Sequence, residues 1–318
     1  MNVLVTGGAG YIGSVVVARL LEAGHEVTVI DDLSTGHRDA VPDDARFVLE
    51  RVQHVSDTLG RHSFDGVVHL AASSLVAESI TDPQKYETNN VAGTRGLLEA
   101  LRTAEIPKIV FSSSAAVYGE PERVPIEEDA PTVPLNPYGS SKLSVDRMLD
   151  AEAARHGIAA VSLRYFNVAG SYAVLGERHS PETHLIPLTL RAALDSRPAT
   201  VFGDDYLTPD GTCIRDYIHV VDIADAHLLA LDAASPGTWR VFNLGNGEGF
   251  SVREVIAAAR RVTGLPLAES VTARRAGDPA VLVASSERAR KELNWAPKKP
   301  RLDEMVDDAW QFLHRGQR

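Results

Sequence analysis

The sequence predicts an α/β fold, a doubly wound parallel sheet with a smaller, discontinuous C-terminal domain. Three observations lead there. The first half of the 318 residues alternates short apolar runs with longer stretches of helical spacing, the pattern of a parallel sheet covered by helices on both sides. A glycine-rich turn joins the first run to the first helix. From about Asn167 to Gly211 the pattern loosens before helix and strand signals resume.

Val3–Val5, Val27–Ile30, Val67–Leu70 and Ile109–Phe111 read as strands apolar on both faces. Tyr11–Ala23 and Tyr86–Ala104 carry apolar residues at helical spacing between them. A helix bearing Tyr138 and Lys142 precedes a strand at Val161–Tyr165. The segment 167–211 scatters Gly, Pro, Asp and His among short apolar pieces, the composition of loops that carry specificity on a rigid scaffold. Beyond it, Ile218–Leu231 has helical periodicity and Val241–Leu244 that of a strand. Ser251–Thr263 reads as an amphipathic helix with Ser251 as N-cap. The last helix, Leu302–His314, follows Pro300.

Composition narrows the classes of function. Hydrophobic residues are 44% and charged residues 24%, ordinary for a soluble globular protein. A formal net charge of −11 argues against a nucleic-acid partner. No apolar run approaches the ~20 residues of a membrane span. Cys213 is the only cysteine, so no intramolecular disulfide can form and a reducing compartment is expected. The first residues enter a strand with no signal peptide ahead of it, so a soluble, cytoplasmic protein is expected. No metal site is expected.

Thr6-Gly7-Gly8-Ala9-Gly10-Tyr11-Ile12-Gly13 follows the first strand and opens the first helix. Gly8, Gly10 and Gly13 satisfy G-x-G-x-x-G, and Gly7, Gly10 and Gly13 satisfy G-x-x-G-x-x-G. Glycines let the backbone turn tightly and admit a pyrophosphate where a Cβ would intrude. The helix N-terminus then offers free N–H groups to the anion. This is the Rossmann-like signature. Asp31 ends the second strand at the spacing of a ribose-binding acid. A carboxylate there accepts ribose hydroxyls and repels a 2′-phosphate, which favours NAD over NADP.

Tyr138 and Lys142 stand four residues apart, one turn above the other on a helix. A phenol ionises near pKa ~10 in water, and an ammonium held one turn away is expected to pull that value down. The pair therefore reads as a proton acceptor beside its activator.

With Gly7–Gly13, Ser112-Ser113-Ser114, Tyr138 and Lys142 in hand, the chain resembles the extended short-chain dehydrogenase/reductases. More narrowly it is similar to the UDP-glucose 4-epimerase family, over nearly its whole length. The matching stretches are Phe111–Gly119, Asn136–Lys142, Leu163–Asn167, Asp210–Thr212, Ile214–Val220, Phe242–Gly245 and Arg274–Asp278. The resemblance implies Ser114, Tyr138 and Lys142 as the catalytic group. It implies a cofactor site for NAD from Gly7, Gly10, Tyr11, Ile12, Gly13, Asp31, Asp32, Asn89, Ser112 and Tyr165, with Tyr138 and Lys142. It implies that Asn167, His184, Leu185, Phe202, Arg215, Arg275, Asp278 and Leu282, with Ser114 and Tyr138, hold a UDP-sugar. The implied reaction interconverts UDP-glucose and UDP-galactose by oxidation at C4, rotation of the 4-keto sugar and re-reduction.

The implied domains are a cofactor half, residues 1–166 with 213–248, and a nucleotide-sugar half, 167–212 with 249–318. A homodimer is implied as well. The sequence departs from the family at Arg51, which aligns where many members carry an acid that holds adenine. Leu282 aligns with the position that gates the sugar's 2-substituent, where a Tyr goes with narrow specificity. A 4-epimerase of UDP-N-acetylglucosamine, UDP-glucuronate or UDP-xylose stays open. So does a non-catalytic NAD sensor, although such proteins often lose the Tyr or Lys. A 4,6-dehydratase would carry Thr-Asp-Glu in place of Ser112-Ser113-Ser114.

Overall fold

A computed structural model describes residues 1–275 and 278–315. Seven parallel strands form the central sheet, in the spatial order Trp239–Leu244, Ala159–Tyr165, Lys108–Ser114, Gly66–His69, Asn2–Thr6, Glu26–Asp31, Arg46–Leu49. The chain reverses its direction of travel across the sheet between Asn2–Thr6 and Gly66–His69, and ligands of open α/β sheets bind in the crevice at such a reversal. Burial explains the unbroken apolar runs. Val3, Leu4 and Val5 are fully buried, with Val3 and Val5 in a core on one face and Leu4 in a core on the other.

A second, smaller body contains the strands Asn167–Ala169, Ile214–His219, Gly249–Ser251 and Val281–Leu282, with Ile214–His219 pairing all three others. Ala199–Phe202 pairs Glu269–Thr272 beside them. The helices Leu185–Leu194, Val252–Thr263 and Leu302–Arg315 close a core of their own around Ile186, Leu190, Val255, Ile256, Met305 and Val306. The chain returns from Ile214–His219 to the large sheet through the helix Val220–Ala233 and the strand Trp239–Leu244.

Three elements differ from the sequence reading. The helix expected over Ile218–Leu231 begins at Val220, because Ile218 and His219 finish a strand. His219 then caps the helix, accepting from Val221 N at 3.1 Å. The loosened segment contains the ten-residue helix Leu185–Leu194. Its Pro187 sits in the first turn, where no intrahelical N–H is lost. The helix expected over Tyr86–Ala104 is interrupted by a π-helical turn at Glu87–Ala92, an insertion frequent at functional sites.

Candidate active site

The glycine turn lies at the reversal point and is built by close approach. Gly7 has φ +76°, and a Cβ on it would fall 2.5 Å from Ala71 N, just past the neighbouring strand. A Cβ on Gly13 would lie 2.1 Å from Gly7 O. At Gly10 the nearest obstacle is Gly7 O at 3.4 Å, so the outer side of the turn is clear. Ser14 N is the first helix donor with an acceptor in the turn, reaching Gly10 O at 2.9 Å. The earlier amides, on Tyr11, Ile12 and Gly13, precede the intrahelical ladder. Asp31 is buried and accepts from Ala9 N at 3.0 Å and Leu33 N at 2.9 Å. Burial pushes its carboxyl pKa up, against those two backbone hydrogen bonds. Asp31 thus ties the turn to the end of the second strand. Asp32 is exposed, and Arg51 lies 3.7 Å from its carboxylate. A tight turn with a clear outer side, a helix N-terminus and a carboxylate at the strand end fit a dinucleotide.

Across the reversal, Ser114 ends the strand Lys108–Ser114, and Tyr138 and Lys142 lie on the helix Pro137–His156. That helix starts where it does for local reasons. Asn136 caps it, accepting from Gly139 N at 2.8 Å, and Pro137 opens the first turn. Gly139 then allows contact with the turn Ala115–Val117, since a Cβ on it would sit 2.4 Å from Ala116 O. Tyr138 and Ser114 are brought into hydrogen bond by this approach.

The expected electrostatics of the pair need correcting. Burial raises the Tyr138 pKa, and the hydrogen bond from Ser114 opposes the rise. Lys142 donates its hydrogen bond to a backbone carbonyl and not to the phenol. Its ammonium donates to Ser112 O at 2.7 Å and lies 4.8 Å from the Phe111 ring centre and 5.8 Å from that of Tyr138. Burial pulls the Lys142 pKa down to about 8, with Asp146 holding it up in part. Sequence spacing gave the shared helix face, but it could not give the competing carbonyl.

Ser112 and Tyr165 are buried and bonded hydroxyl to hydroxyl. Asn89 is exposed and donates to Ser73 Oγ at 3.1 Å. Its neighbour Asn90, which the sequence reading passed over, is buried in the π-helical turn. Asn90 accepts from Ser73 N at 2.8 Å and donates to Ser141 Oγ at 2.9 Å, on the helix that carries Tyr138. A second group, to which the sequence reading gave no role, lies behind that helix. Arg164 donates to Asp146 Oδ2 at 2.9 Å and to Tyr118 Oη at 3.0 Å, and Tyr118 donates to Asn243 at 2.7 Å. The signal for Asn90 was a polar residue ahead of an apolar pattern, whereas Tyr118, Arg164 and Asn243 lie in stretches that resemble the family.

The smaller body supplies the other wall. Arg215 is buried and paired with Asp278. Asp278 N donates to Arg275 O at 3.3 Å, and the Arg275 guanidinium lies 3.9 Å from the Phe202 ring centre. Asn167 is exposed and hydrogen-bonds Tyr217. Leu282 pairs in register with Arg215 and packs on the cluster containing Ala115, Tyr118 and Phe166. It therefore bridges the arginine group and the turn after Ser114. His184 and Leu185 open the helix after the loop, with His184 exposed and bonded to Glu182 at 2.8 Å. Ala276 and Gly277 of the Arg274–Asp278 stretch lie outside the described residues.

A doubly wound sheet with a glycine turn at its reversal and a Ser–Tyr–Lys group opposite defines the short-chain dehydrogenase/reductase class. The chain belongs to the NAD dependent epimerase/dehydratase family, whose model matches residues 3–245. Its relatives are UDP-glucose 4-epimerases. The one from Corynebacterium glutamicum is 54% identical over 314 residues, 98% of this chain and 95% of that protein. The crystal structure of the Brucella ovis enzyme in complex with NAD superposes with a TM-score of 0.93 at 43% identity, covering 98% of each chain. That of the Bifidobacterium longum enzyme with NAD+ and UDP gives 0.93 at 35% identity, covering 100% of this chain and 99% of that one.

Proposed function

We propose that this chain is an NAD-dependent 4-epimerase that interconverts UDP-glucose and UDP-galactose. The observation that carries the reading is the grouping of Ser114, Tyr138 and Lys142 at the carboxyl ends of the strands, across the sheet reversal from the glycine turn. Residues of the glycine turn with Asp31, Asp32, Asn89, Ser112 and Tyr165 hold the cofactor. When bound, NAD+ supplies the hydride acceptor at its nicotinamide and a positive charge that favours the Tyr138 phenolate. Tyr138 takes the proton from the sugar 4-hydroxyl, and Ser114 orients that oxygen. Lys142 adds positive charge beside the phenol and fixes the end of the strand through Ser112 O. Arg215 and Arg275 suit the diphosphate, because guanidinium forks match its oxygens and stay charged. Held there, the 4-keto sugar would be free to turn its other face to the cofactor site, and Tyr138 would return the proton to the sugar 4-oxygen.

The net reaction is redox neutral, so the cofactor stays with the protein. Residues 1–166 and 213–248 serve the cofactor and 167–212 and 249–318 the sugar nucleotide, except that the strand Ile214–His219 belongs to the smaller body and brings Arg215 to the sugar nucleotide. The acting unit is a cytoplasmic homodimer, formed through the neighbouring helices Gly93–Thr103 and Pro137–His156. Among the described residues no helix is long and apolar enough to cross a membrane.

The test is to supply UDP-galactose to purified NAD-loaded protein and follow UDP-glucose. Formation of UDP-glucose without consumption of NAD supports the reading, and no interconversion overturns it. UDP-N-acetylgalactosamine and UDP-galacturonate run alongside decide how Leu282 sets the sugar.

A further inference from the structure

Two Glu-x-His pairs, Glu177 with His179 and Glu182 with His184, fold onto one another in the loop ahead of the helix Leu185–Leu194. We propose that they form a binding site for one divalent transition-metal ion, with zinc as the best match. Glu177, His179 and His184 each present a ligand atom, all within 4.8 Å of one another. His179 Nδ1 lies 2.5 Å from Glu177 Oε1. His184 Nδ1 lies 3.6 Å from Glu177 Oε2 and 2.8 Å from Glu182 Oε1. Zinc bonds of ~2.0–2.2 Å set tetrahedral ligand atoms roughly 3.3 Å apart. Small side-chain rotations reach that spacing.

A second observation is independent of the clustering. The Glu182 side chain is 1% exposed, and its Oε2 is buried with no hydrogen-bond partner. Its other oxygen bonds His184 Nδ1, so the orphan oxygen belongs to a carboxylate joined directly to one of the three clustered residues. A buried carboxylate oxygen without a partner is costly, and a cation removes the cost. With neutral imidazoles the four side chains carry two negative charges, which one divalent ion cancels. Imidazole nitrogen with carboxylate oxygen suits zinc better than the all-oxygen sets of calcium and magnesium. A cavity of about 30 Å³ touches Glu177 and His184 and admits a water as a further ligand. The sequence reading expected no metal.

The site adjoins the cofactor turn. Tyr11 lines the same cavity and donates to Gly170 O at 2.7 Å. A metal here fixes the loop that ends in His184. If His184 and Leu185 serve the sugar nucleotide, which rests on the proposed function, chelation raises KM for the UDP-sugar.

The test uses the tag-free full chain, stripped with EDTA, incubated with zinc chloride, desalted and counted by mass spectrometry of the metal. About one zinc per chain is expected. The variant carrying Glu177→Gln and His179→Ala should bind roughly tenfold or more weakly. Cobalt(II) substituted into wild type should give the absorption of a tetrahedral nitrogen–oxygen site. Wild type that retains no zinc overturns the proposal, and so does a folded variant that retains as much. Should the variant fail to fold, the cobalt spectrum decides, an octahedral aquo-like spectrum counting against. These readouts use no substrate, so failure of the epimerase reading would not imitate failure of the site.

Discussion

At Tyr138, burial raises the phenol pKa while Ser114 opposes the rise, so the chain by itself holds this group as a phenol near neutral pH. Its removal as general base is expected to lower kcat by at least ~10²-fold in Tyr138→Phe, measured with saturating UDP-galactose. An unchanged rate would remove Tyr138 from the chemistry. Arg215 makes a different prediction. Hydrogen bonds to charged groups are worth ~1.5–3 kcal/mol, so Arg215→Met should raise KM for the UDP-sugar by roughly 10- to 150-fold. A rise in KM of less than about twofold would place the diphosphate elsewhere. Residue identity pointed to groups that the structure brings together, since glycine, Tyr and Arg each do something few other residues can. It did not carry the direction of Lys142, because a backbone carbonyl leaves no mark on side-chain spacing.

The helix Pro137–His156 comes closest to the turn Ala115–Val117 at Gly139, against Ala116 O. Gly139→Ala should preserve the helix but push it off the turn, and misplacement by about 1 Å can cost ~10²-fold in rate. Far-ultraviolet circular dichroism alongside kcat checks this, and full activity would show that the contact is slack. In the smaller body, Asp216 accepts from Asn246 N, Gly247 N and Ala284 N at 2.7, 3.1 and 3.0 Å. Burial nevertheless pushes its pKa up from 3.8 to about 6. Between those values the folded chain keeps a proton that the unfolded chain has released. The carboxyl therefore stabilises fully below pH 3.8, and this contribution is lost as pH rises through 6. From pH 4.5 to 7, wild type should lose about 2 kcal/mol relative to Asp216→Asn, read from urea melts. A constant difference would contradict the shift.

Elements with strong periodicity were legible, as the strands around Val3, Val67 and Val161 were. The helix capped by Ser251 was legible as well, but two other helix boundaries were not. Pro187 hid a helix, and His219 moved the start of another by ending a strand.

For the molecule as a whole, two bodies share one cleft, and any ligand bound only by the folded chain shifts unfolding by mass action. NAD at a hundredfold excess over its Kd should stabilise by about 2.7 kcal/mol, visible as a higher Tm, with UDP adding further. No rise with NAD would argue against the cofactor reading. Light scattering should give twice the 34.3 kDa of one chain, and a monomer mass would exclude the dimer. The acidic net charge and single cysteine narrowed the classes of partner to expect and leave no pair for an internal disulfide, but they said nothing about how the bodies meet. That depends on side chains from distant segments, such as Leu282 on Tyr118 and Phe166.

The strand Ile214–His219 serves the small sheet, yet the helix and strand directly after it complete the large one. No single break in the gene divides the molecule into two pieces that each own a finished core. One crossover between related genes would join a foreign small body to a large sheet whose last strand came with it. Exchange of the smaller body as a cassette therefore requires several matched junctions.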